Sequence, residues 1–224
     1  MFNIIRGWFG ETKATATMWL TLSSSTYQRF HDLYVPTFGG TAQIDHLLIS
    51  PFGIFIVETK NHKGWIFGDR YSKQWTQSLF GKKYRFQNPL RQTYRQKKAL
   101  ASYFDVDEDL IHTVIFFSGD CKLKSELPEN VRTRGLARYI KRFNEVVFTD
   151  RQIDELLRKI QHHVNTSTTT RREHVNNLRK RHNSKSTCPN CGSSLVKRVA
   201  RTGSNIGKTF WGCSGFPECR FTRN

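Results

Sequence analysis

Acidic residues are scarce in this sequence of 224 residues. It holds 18 Asp and Glu against 36 Lys and Arg, which gives a formal net charge of +18 with neutral histidine. Such an excess of positive charge favours a polyanionic partner, because phosphate groups attract Lys and Arg at long range. A basic surface that serves only solubility is the alternative. The excess is uneven, since residues 165–224 alone carry 12 Lys and Arg and only 2 Asp and Glu.

Long apolar runs are also missing. No stretch approaches the roughly 20 apolar residues that a membrane-spanning helix needs, so no membrane partner is expected. The N-terminal MFNIIRGWFGET lacks the sections of a secretory signal peptide. Of the 5 cysteines, four lie near the C-terminus and Cys121 stands alone. This pattern argues against a disulfide framework. The expected location is a bacterial cytoplasm, on the nucleoid or a plasmid.

Composition divides the chain into three predicted parts. Alternating apolar residues predict strands at Gln43–Ile49 and Ile54–Thr59, joined by a Pro-Phe-Gly turn, inside an α/β domain at 1–164. Residues 165–186 hold almost no core-forming side chains and predict a basic flexible linker, in which a short helix is an alternative. A small module follows at 187–224.

Further elements of the α/β domain follow from periodicity and turn signals. A helix that begins at Pro89 and a helix capped by Asp150 both show apolar residues at helical spacing. The expected elements are a helix at about 11–30, a hairpin of 75–79 and 83–86, a helix at 90–103, a strand at 112–117, a short strand at 146–148 and a helix from 150 to about 164.

Charged residues interrupt the two strands at the turn. Glu58 and Lys60 share one strand face, because side chains alternate with a period of two, and the turn brings Asp45 alongside. Burying such charges is costly unless they are paired or bind a metal. Two carboxylates and a lysine are the groups that hold a divalent cation and activate a water. The alternative is a structural ion pair of Glu58 with Lys60, with Asp45 capping a turn.

The residues around these charges carry a family resemblance. The segment GTAQIDHLLISPFGIFIVETKNHKGWIFG, with Trp75 and the NPLRQ at 88–92, resembles the nuclease-related domain (NERD) family of the PD-(D/E)xK nuclease superfamily. The likeness runs from about residue 7 to about residue 120. It implies a restriction-endonuclease-like α/β fold, with a mixed β-sheet core flanked by helices, and metal-dependent cleavage of phosphodiester bonds. Ile44 replaces the proline that precedes the aspartate in the superfamily pattern, which is ordinary in this family.

This resemblance also assigns roles. Asp45, Glu58 and the carbonyl of Thr59 would bind Mg²⁺ or Mn²⁺. Lys60 would orient or polarise the attacking water and offset developing negative charge. Glu11 would act as an indirect or second-metal ligand, and Gln92 would contact the scissile phosphate or the lysine. The implied catalytic residues are therefore Glu11, Asp45, Glu58, Lys60 and Gln92.

Four cysteines at the C-terminus form a second motif. Cys188 and Cys191 make a CxxC pair, and Cys213 and Cys219 are separated by five residues. Zn²⁺ takes four thiolates tetrahedrally in closed structural sites, so the spacing predicts one structural zinc, with unliganded cysteines as the alternative. The segment CPNCGSSLVKRVARTGSNIGKTFWGCSGFPECRF is similar to the four-cysteine zinc ribbon of bacterial type IA topoisomerases.

Basic and aromatic residues alternate along this ribbon. Lys and Arg track phosphates while aromatic rings stack on unpaired bases, and the resemblance favours single-stranded DNA. Duplex ends or RNA are alternative ligands, and packing around the zinc is the alternative role of the rings. The predicted DNA-binding residues are Lys197, Arg198, Arg201, Lys208, Phe210, Trp211 and Arg220.

Together these features predict an Mg²⁺-dependent DNA nuclease whose zinc ribbon holds the DNA. A non-catalytic DNA-binding protein built on a nuclease-like scaffold is one alternative, because activity does not follow from fold alone. An RNA-processing nuclease is another. The oligomeric state is open.

Overall fold

The computed structural model describes residues 21–37, 40–167, 169–217 and 219–223. Within these ranges the larger part of the fold contains nine strands, three α-helices and a short 3₁₀ helix (Glu108–Leu110): β1 (Gln28–Thr37), β2 (Gly40–Ser50), β3 (Gly53–Lys60), β4 (Gly64–Phe67), β5 (Gln74–Leu79), β6 (Lys82–Gln87), α1 (Pro89–Phe104), β7 (Ile111–Phe117), β8 (Cys121–Leu123), β9 (Val131–Arg132), α2 (Leu136–Ile140) and α3 (Asp150–Thr166). Beyond it come α4 (Arg171–Asn183), β10 (Leu195–Val199), β11 (Thr209–Cys213) and β12 (Thr222–Arg223). None of the helices in these ranges is long and apolar enough to cross a membrane.

A five-stranded mixed sheet, in the order β1-β2-β3-β7-β9, forms the centre of the fold. The β1–β2 and β2–β3 pairs are antiparallel, and the β3–β7 and β7–β9 pairs are parallel. Ile56 packs with Leu100 of α1 and Ile160 of α3 on one face, and Val57 packs with Ile140 of α2 on the other. Apolar residues on both faces explain why β3 reads as a continuous apolar run. The predicted mixed sheet flanked by helices is confirmed.

A four-stranded sheet, in the order β6-β5-β4-β8, extends from the end of the central sheet. Strand β4 follows β3 in the chain, and β8 follows β7. Strands β4 and β8 pair in parallel. On its inner face, Ile66 and Trp75 pack against Phe117 of the central sheet. A Cβ atom at Gly68 would lie 2.3 Å from the Trp75 ring, so this close approach requires glycine.

Asn88 joins the four-stranded sheet to helix α1. Its side chain accepts from the Leu90 backbone N–H at 3.0 Å and caps the helix, while its amide donates to the carbonyls of Asp69 and Ser72 at 3.0 and 2.8 Å. Pro89 occupies the first helical turn, where its missing N–H costs nothing. The predicted helix is therefore present, and Asn88 ties its start to the loop between β4 and β5.

The segment predicted as a flexible linker contains helix α4. His174 is buried, its Nδ1 lies 2.6 Å from the Thr41 hydroxyl, and its ring packs 5.1 Å from that of Tyr34. The sequence allowed a short helix here but gave no sign that the helix contacts β1 and β2. Its helical residues include few apolar side chains, so the docking depends on polar contacts.

Three features differ from the sequence-based expectations. Most of the helix expected at 11–30 lies outside the described residues, but strand β1 already begins at Gln28. Residues 146–148 form no strand. Instead the backbone N–H groups of Val147 and Phe148 both donate to the Pro51 carbonyl, and the buried Phe148 ring joins the core. Thr149, rather than Asp150, caps α3.

Candidate functional site

Polar side chains meet on the face of the central sheet that helix α1 covers. The β2–β3 register pairs His46 with Val57, so one further step along the antiparallel pair sets Asp45 opposite Glu58. Lys60 ends strand β3 on the same face. Helix α1 adds Gln92, so four of the five predicted catalytic residues lie together. The fifth, Glu11, lies outside the described residues.

Glu58 is the most constrained of these side chains, with only 2% of its surface exposed. Its Oε1 accepts from Lys60 Nζ at 2.5 Å and from Gln92 Nε2 at 2.7 Å. Its Oε2 accepts from Gln96 Nε2 at 2.7 Å. Lys60 Nζ also donates to Gln92 Oε1 at 3.0 Å. Burying a carboxylate is costly unless donors surround it, and the two glutamines and the lysine supply those donors to Glu58.

Asp45 is fixed by the backbone of the neighbouring strand. Its Oδ2 accepts from the Thr59 backbone N–H at 3.0 Å. The Thr59 hydroxyl lies on the other face, 3.1 Å from Nε2 of His46, and His46 Nδ1 lies 2.7 Å from His31 Nδ1. Burial, with a smaller effect of His31, lowers the pKa of His46 to about 4. His46 is therefore neutral at pH 7 and does not face the carboxylates.

The ligand types at this site suit Mg²⁺. Mg²⁺ prefers hard oxygen ligands and is usually held by one or two carboxylates together with waters and substrate phosphates. Asp45 and Glu58 provide two carboxylates on one face, and Thr59 lies between Glu58 and Lys60 in the chain. The structure also agrees with the alternative of a structural ion pair, because Lys60 Nζ lies 2.5 Å from Glu58 Oε1.

Gln96 is a site residue that the sequence reasoning missed. It is buried, and its amide donates both to Glu58 and to the Gln43 carbonyl, at 2.8 Å. Its position in the sequence could have indicated this role, because Gln96 lies four residues after Gln92 and residues four apart on a helix share a face. Only the sheet beneath α1 shows that both glutamines point to one carboxylate.

The four C-terminal cysteines form one buried cluster. Their sulfur atoms all lie within 4.8 Å of one another, with Cys188 and Cys219 at 3.7 Å and Cys191 and Cys213 at 3.2 Å. Tetrahedral zinc with Zn–S distances of about 2.3 Å sets its sulfurs about 3.8 Å apart. Burial raises the pKa of the Cys213 thiol to about 12, so thiolates here need a cation. In the described ranges this is the one group of three or more close His, Cys, Asp or Glu ligands.

The predicted DNA-binding residues lie around the cysteine cluster. Five of them line a ribbon cavity of about 830 Å³: Lys197, Arg198, Arg201, Phe210 and Arg220. Trp211 lies outside it, paired with Lys197 on the neighbouring strand and 41% exposed. An exposed indole beside a lysine is suited to base stacking.

Arg198 has a structural contact that the sequence did not indicate. Its guanidinium donates to the Cys213 carbonyl at 3.1 Å and lies 5.8 Å from the Phe216 ring centre. A Cβ atom at Gly212 would approach Arg198 Cδ to 2.7 Å. Arg198 thus packs along the ribbon.

A family model described as "Nuclease-related domain" matches residues 6–118. The chain belongs to the nuclease-related domain family. A second model, described as "Topoisomerase DNA binding C4 zinc finger", matches residues 185–224. Both resemblances read from the sequence are therefore confirmed, and the NERD match covers strands β1–β7 and helix α1, which carry Asp45, Glu58, Lys60 and Gln92.

Curated relatives match the two parts separately. An uncharacterized protein of Bacillus anthracis is 39% identical over 120 residues, which cover 53% of this chain and 56% of that protein. DNA topoisomerase 1 of Methanothermobacter thermautotrophicus is 57% identical over 35 residues, which cover 16% of this chain and 4% of the topoisomerase. The chain thus spans little more than half of the first relative and a small part of the second. No solved structure matches it significantly.

The NERD match suggests nuclease-like activity, and the C4 zinc finger match suggests DNA binding. The four buried sulfurs fit a structural zinc.

Proposed function

We propose that this protein is an Mg²⁺-dependent DNA nuclease whose catalytic residues are Asp45, Glu58, Lys60 and Gln92, with Glu11 as a further ligand. The observation that carries the proposal is the meeting of two carboxylates, a lysine and a glutamine on one face of the NERD sheet. These charges lie where apolar residues would otherwise pack, and burying them is costly unless they are paired or bind a metal. Mn²⁺ would substitute for Mg²⁺.

The bound metal would stabilise charge on the phosphate and make a coordinated water more acidic. Asp45, Glu58 and the Thr59 carbonyl would hold it. Gln96 and Gln92 keep the Glu58 carboxylate in one orientation, through donors at 2.7 Å each, and the Thr59 N–H does the same for Asp45. Such preorganised groups cost no rearrangement when charge develops.

Lys60 supplies positive charge at the edge of the site. Its side chain is 21% exposed, so it reaches both Glu58 inside and a phosphate outside. Gln92 accepts from its ammonium at 3.0 Å and limits the directions that the ammonium takes. In the proposed mechanism Lys60 orients the attacking water and offsets the negative charge that develops on the phosphate.

The zinc ribbon would hold the DNA, with a preference for single strands. Ribbon and NERD domain meet at helix α1, where Tyr94 packs against the cysteine cluster. A cavity of about 680 Å³ between them is lined by Arg91, Lys97 and Arg220 among others. Two linked binding elements raise the local concentration of a strand held by either one. The proposed division is 1–164, 165–186 and 187–224, and the proposed location is a bacterial cytoplasm, on nucleoid or plasmid DNA.

A second candidate is a DNA-binding protein that uses the NERD fold without catalysis. The contact that favours it is Lys60 Nζ on Glu58 Oε1 at 2.5 Å. This ion pair already neutralises the buried carboxylate, as a purely structural pair would. The two candidates differ in whether metal and a phosphate replace that contact.

The test is cleavage of circular single-stranded and duplex DNA with Mg²⁺, with Mn²⁺ and with EDTA. Lys60→Ala is compared with Lys63→Ala, which removes an exposed lysine three positions further along. We expect nicked or linear products with either metal and none with EDTA. We expect Lys60→Ala to lower the rate by about 100-fold or more, the usual loss when one charge-stabilising group is removed, and Lys63→Ala to cut as the wild type does.

The outcomes separate the candidates. Tight DNA binding by the wild type without any cleavage would leave the non-catalytic scaffold as the better account. Cleavage that survives in Lys60→Ala, at the rate of Lys63→Ala, would show that the chemistry takes place elsewhere or in a contaminant. Preferential cleavage of RNA circles would redirect the proposal to RNA processing.

A further inference from the structure

We propose that the outer face of the four-stranded sheet is a second binding surface for single-stranded DNA, separate from the zinc ribbon. We call it the wing face. The inference rests on the proposed function in one respect only, namely that the DNA strand bound here is the substrate of the nuclease. Its residues are Trp65, Phe67, Lys83, Arg85, Lys122 and Lys124.

The strand register places these residues in cross-strand rows. Lys83 pairs with Ser78, Ser78 with Trp65, and Trp65 with Lys122. The next row runs from Arg85 through Thr76 to Phe67. Directly paired residues point to the same face of a sheet, and neighbouring strands lie about 4.8 Å apart. Each row therefore carries an aromatic ring with a cation two strands away.

The aromatic residues of the wing face are open to solvent. Trp65 is 51% exposed and Phe67 is 39% exposed, while Ile66 between them is buried. The core of this sheet is formed on the opposite face by Ile66 and Trp75, so packing does not account for Trp65 or Phe67. Lys124 Nζ lies 4.7 Å from the centre of the Trp65 ring. A cation and an indole in contact at the surface form a ready platform for a base and its phosphate.

The charge of this sheet is of one sign. Its four strands contain Lys82, Lys83, Arg85 and Lys122 but neither Asp nor Glu. The ion pairs found within the described residues involve none of the wing-face cations. Asp69, the acid just beyond β4, accepts from two backbone N–H groups in its own turn. Among the described residues, no wing-face cation is therefore held in an ion pair with a carboxylate.

A single strand suits this surface better than a duplex does. Bases in a duplex stack on each other and hide their faces, whereas an unpaired base offers a face to Trp65 or Phe67. The wing face also lies near the proposed catalytic residues in the chain. Trp65 follows Lys60 by five residues, which limits the distance between their Cα atoms to about 18 Å. A strand bound here would flank the site of cleavage.

The test measures binding of a fluorescent oligothymidylate to the zinc-loaded protein in buffer without Mg²⁺ or Mn²⁺, where cleavage is not expected. Trp65→Ala removes the stacking ring, and Trp65→Phe keeps one. Lys83→Glu/Lys122→Glu reverses two wing-face charges. Arg138→Glu/Arg158→Glu makes the same charge change at exposed positions on helices α2 and α3. We expect Trp65→Ala to weaken binding about tenfold, the usual effect of one lost base–aromatic stack, and Trp65→Phe to restore most of it.

We expect Lys83→Glu/Lys122→Glu to weaken binding more than its control and to flatten the salt dependence by about 0.7 per lost phosphate contact. Photocrosslinking with 5-iododeoxyuridine should yield a peptide that contains Trp65. Equal binding by wild type and Trp65→Ala, equal loss in both charge-reversed variants, or equal loss with duplex DNA would each overturn the proposal. A wild type that binds through the wing face but never cuts DNA would contradict the proposed function and support this inference. A wild type that cuts DNA but binds it as well without the Trp65 ring would support the proposed function and contradict this inference.

Discussion

The backbone N–H of Thr59 donates to Oδ2 of Asp45 at 3.0 Å, across strands β2 and β3. The regular pairing of these strands ends at His46 and Val57, and beyond it the Asp45 carboxylate accepts the Thr59 N–H in place of a backbone carbonyl. One oxygen of Asp45 is thereby held in the strand interface, and the carboxylate lies on the sheet face that also carries Glu58 and Lys60.

We expect Asp45→Asn and Asp45→Ala to separate these two roles. The amide oxygen of Asn still accepts from Thr59, so Asp45→Asn should unfold within about 1 kcal/mol of the wild type. Asp45→Ala leaves the Thr59 N–H without its acceptor and should lose about 1–3 kcal/mol. Both should abolish metal-dependent cleavage. Urea unfolding and the cleavage assay check this, and an active Asp45→Asn would argue against a role as metal ligand.

Gln96→Leu should weaken both stability and activity, because it removes the donor to Oε2 of the buried Glu58. Loss of one partner of a buried charge costs about 1.5–3 kcal/mol. Gln87→Leu makes the same change at an exposed position of β6 and should unfold as the wild type does. Equal urea midpoints for both variants would show that Glu58 does not depend on Gln96.

Stability should fall in acid partly through His46. Burial lowers its folded-state pKa to about 4, whereas a histidine in the unfolded chain titrates near 6.5. Between these values the unfolded state binds more protons, so this contribution is fully present above about pH 6.5 and is lost as pH falls towards 4. The side chain is only 3% exposed, and the loss amounts to about 3 kcal/mol.

Urea unfolding of wild type and His46→Gln at pH 7 and near pH 4.5 measures this effect. Groups remote from this site titrate alike in both proteins, so the difference between their pH profiles reports on His46 together with its contact to His31. We expect the wild type to lose more stability than the variant as the pH falls. Parallel profiles would contradict the low pKa.

Zinc removal should unfold the ribbon and leave the NERD domain folded. The ribbon's small core consists of the four cysteines and Leu195, with Tyr94 and Phe221 beside it, and modules of this size depend on metal for folding. We expect one zinc per chain by atomic absorption, retained in Cys121→Ser and lost in Cys191→Ser. Cys191→Ser should also bind single-stranded DNA more weakly. Full zinc content in Cys191→Ser would contradict the four-cysteine site.

The local parts of this protein can be read from its sequence. Asp45, Glu58 and Lys60 fall on one face because strand side chains alternate, and this follows from spacing and a tight turn alone. Ligand type and spacing predict the zinc site in the same way, from Cys188, Cys191, Cys213 and Cys219. Helix α1 was predicted to within a residue at each end because Asn88 and Pro89 mark its start.

Contacts between distant segments could not be read in this way. Gln96 reaches Glu58 only because α1 lies across β3, and His174 is buried only because α4 packs on β2. Residues 146–148 have the composition of a strand, but their backbone donates to the Pro51 carbonyl and the Phe148 ring packs in the core. The wing-face residues share one surface only because four short strands pair in a particular register. Periodicity reports which residues share a face, whereas tertiary structure decides what each face meets, because that depends on packing between segments far apart in the chain.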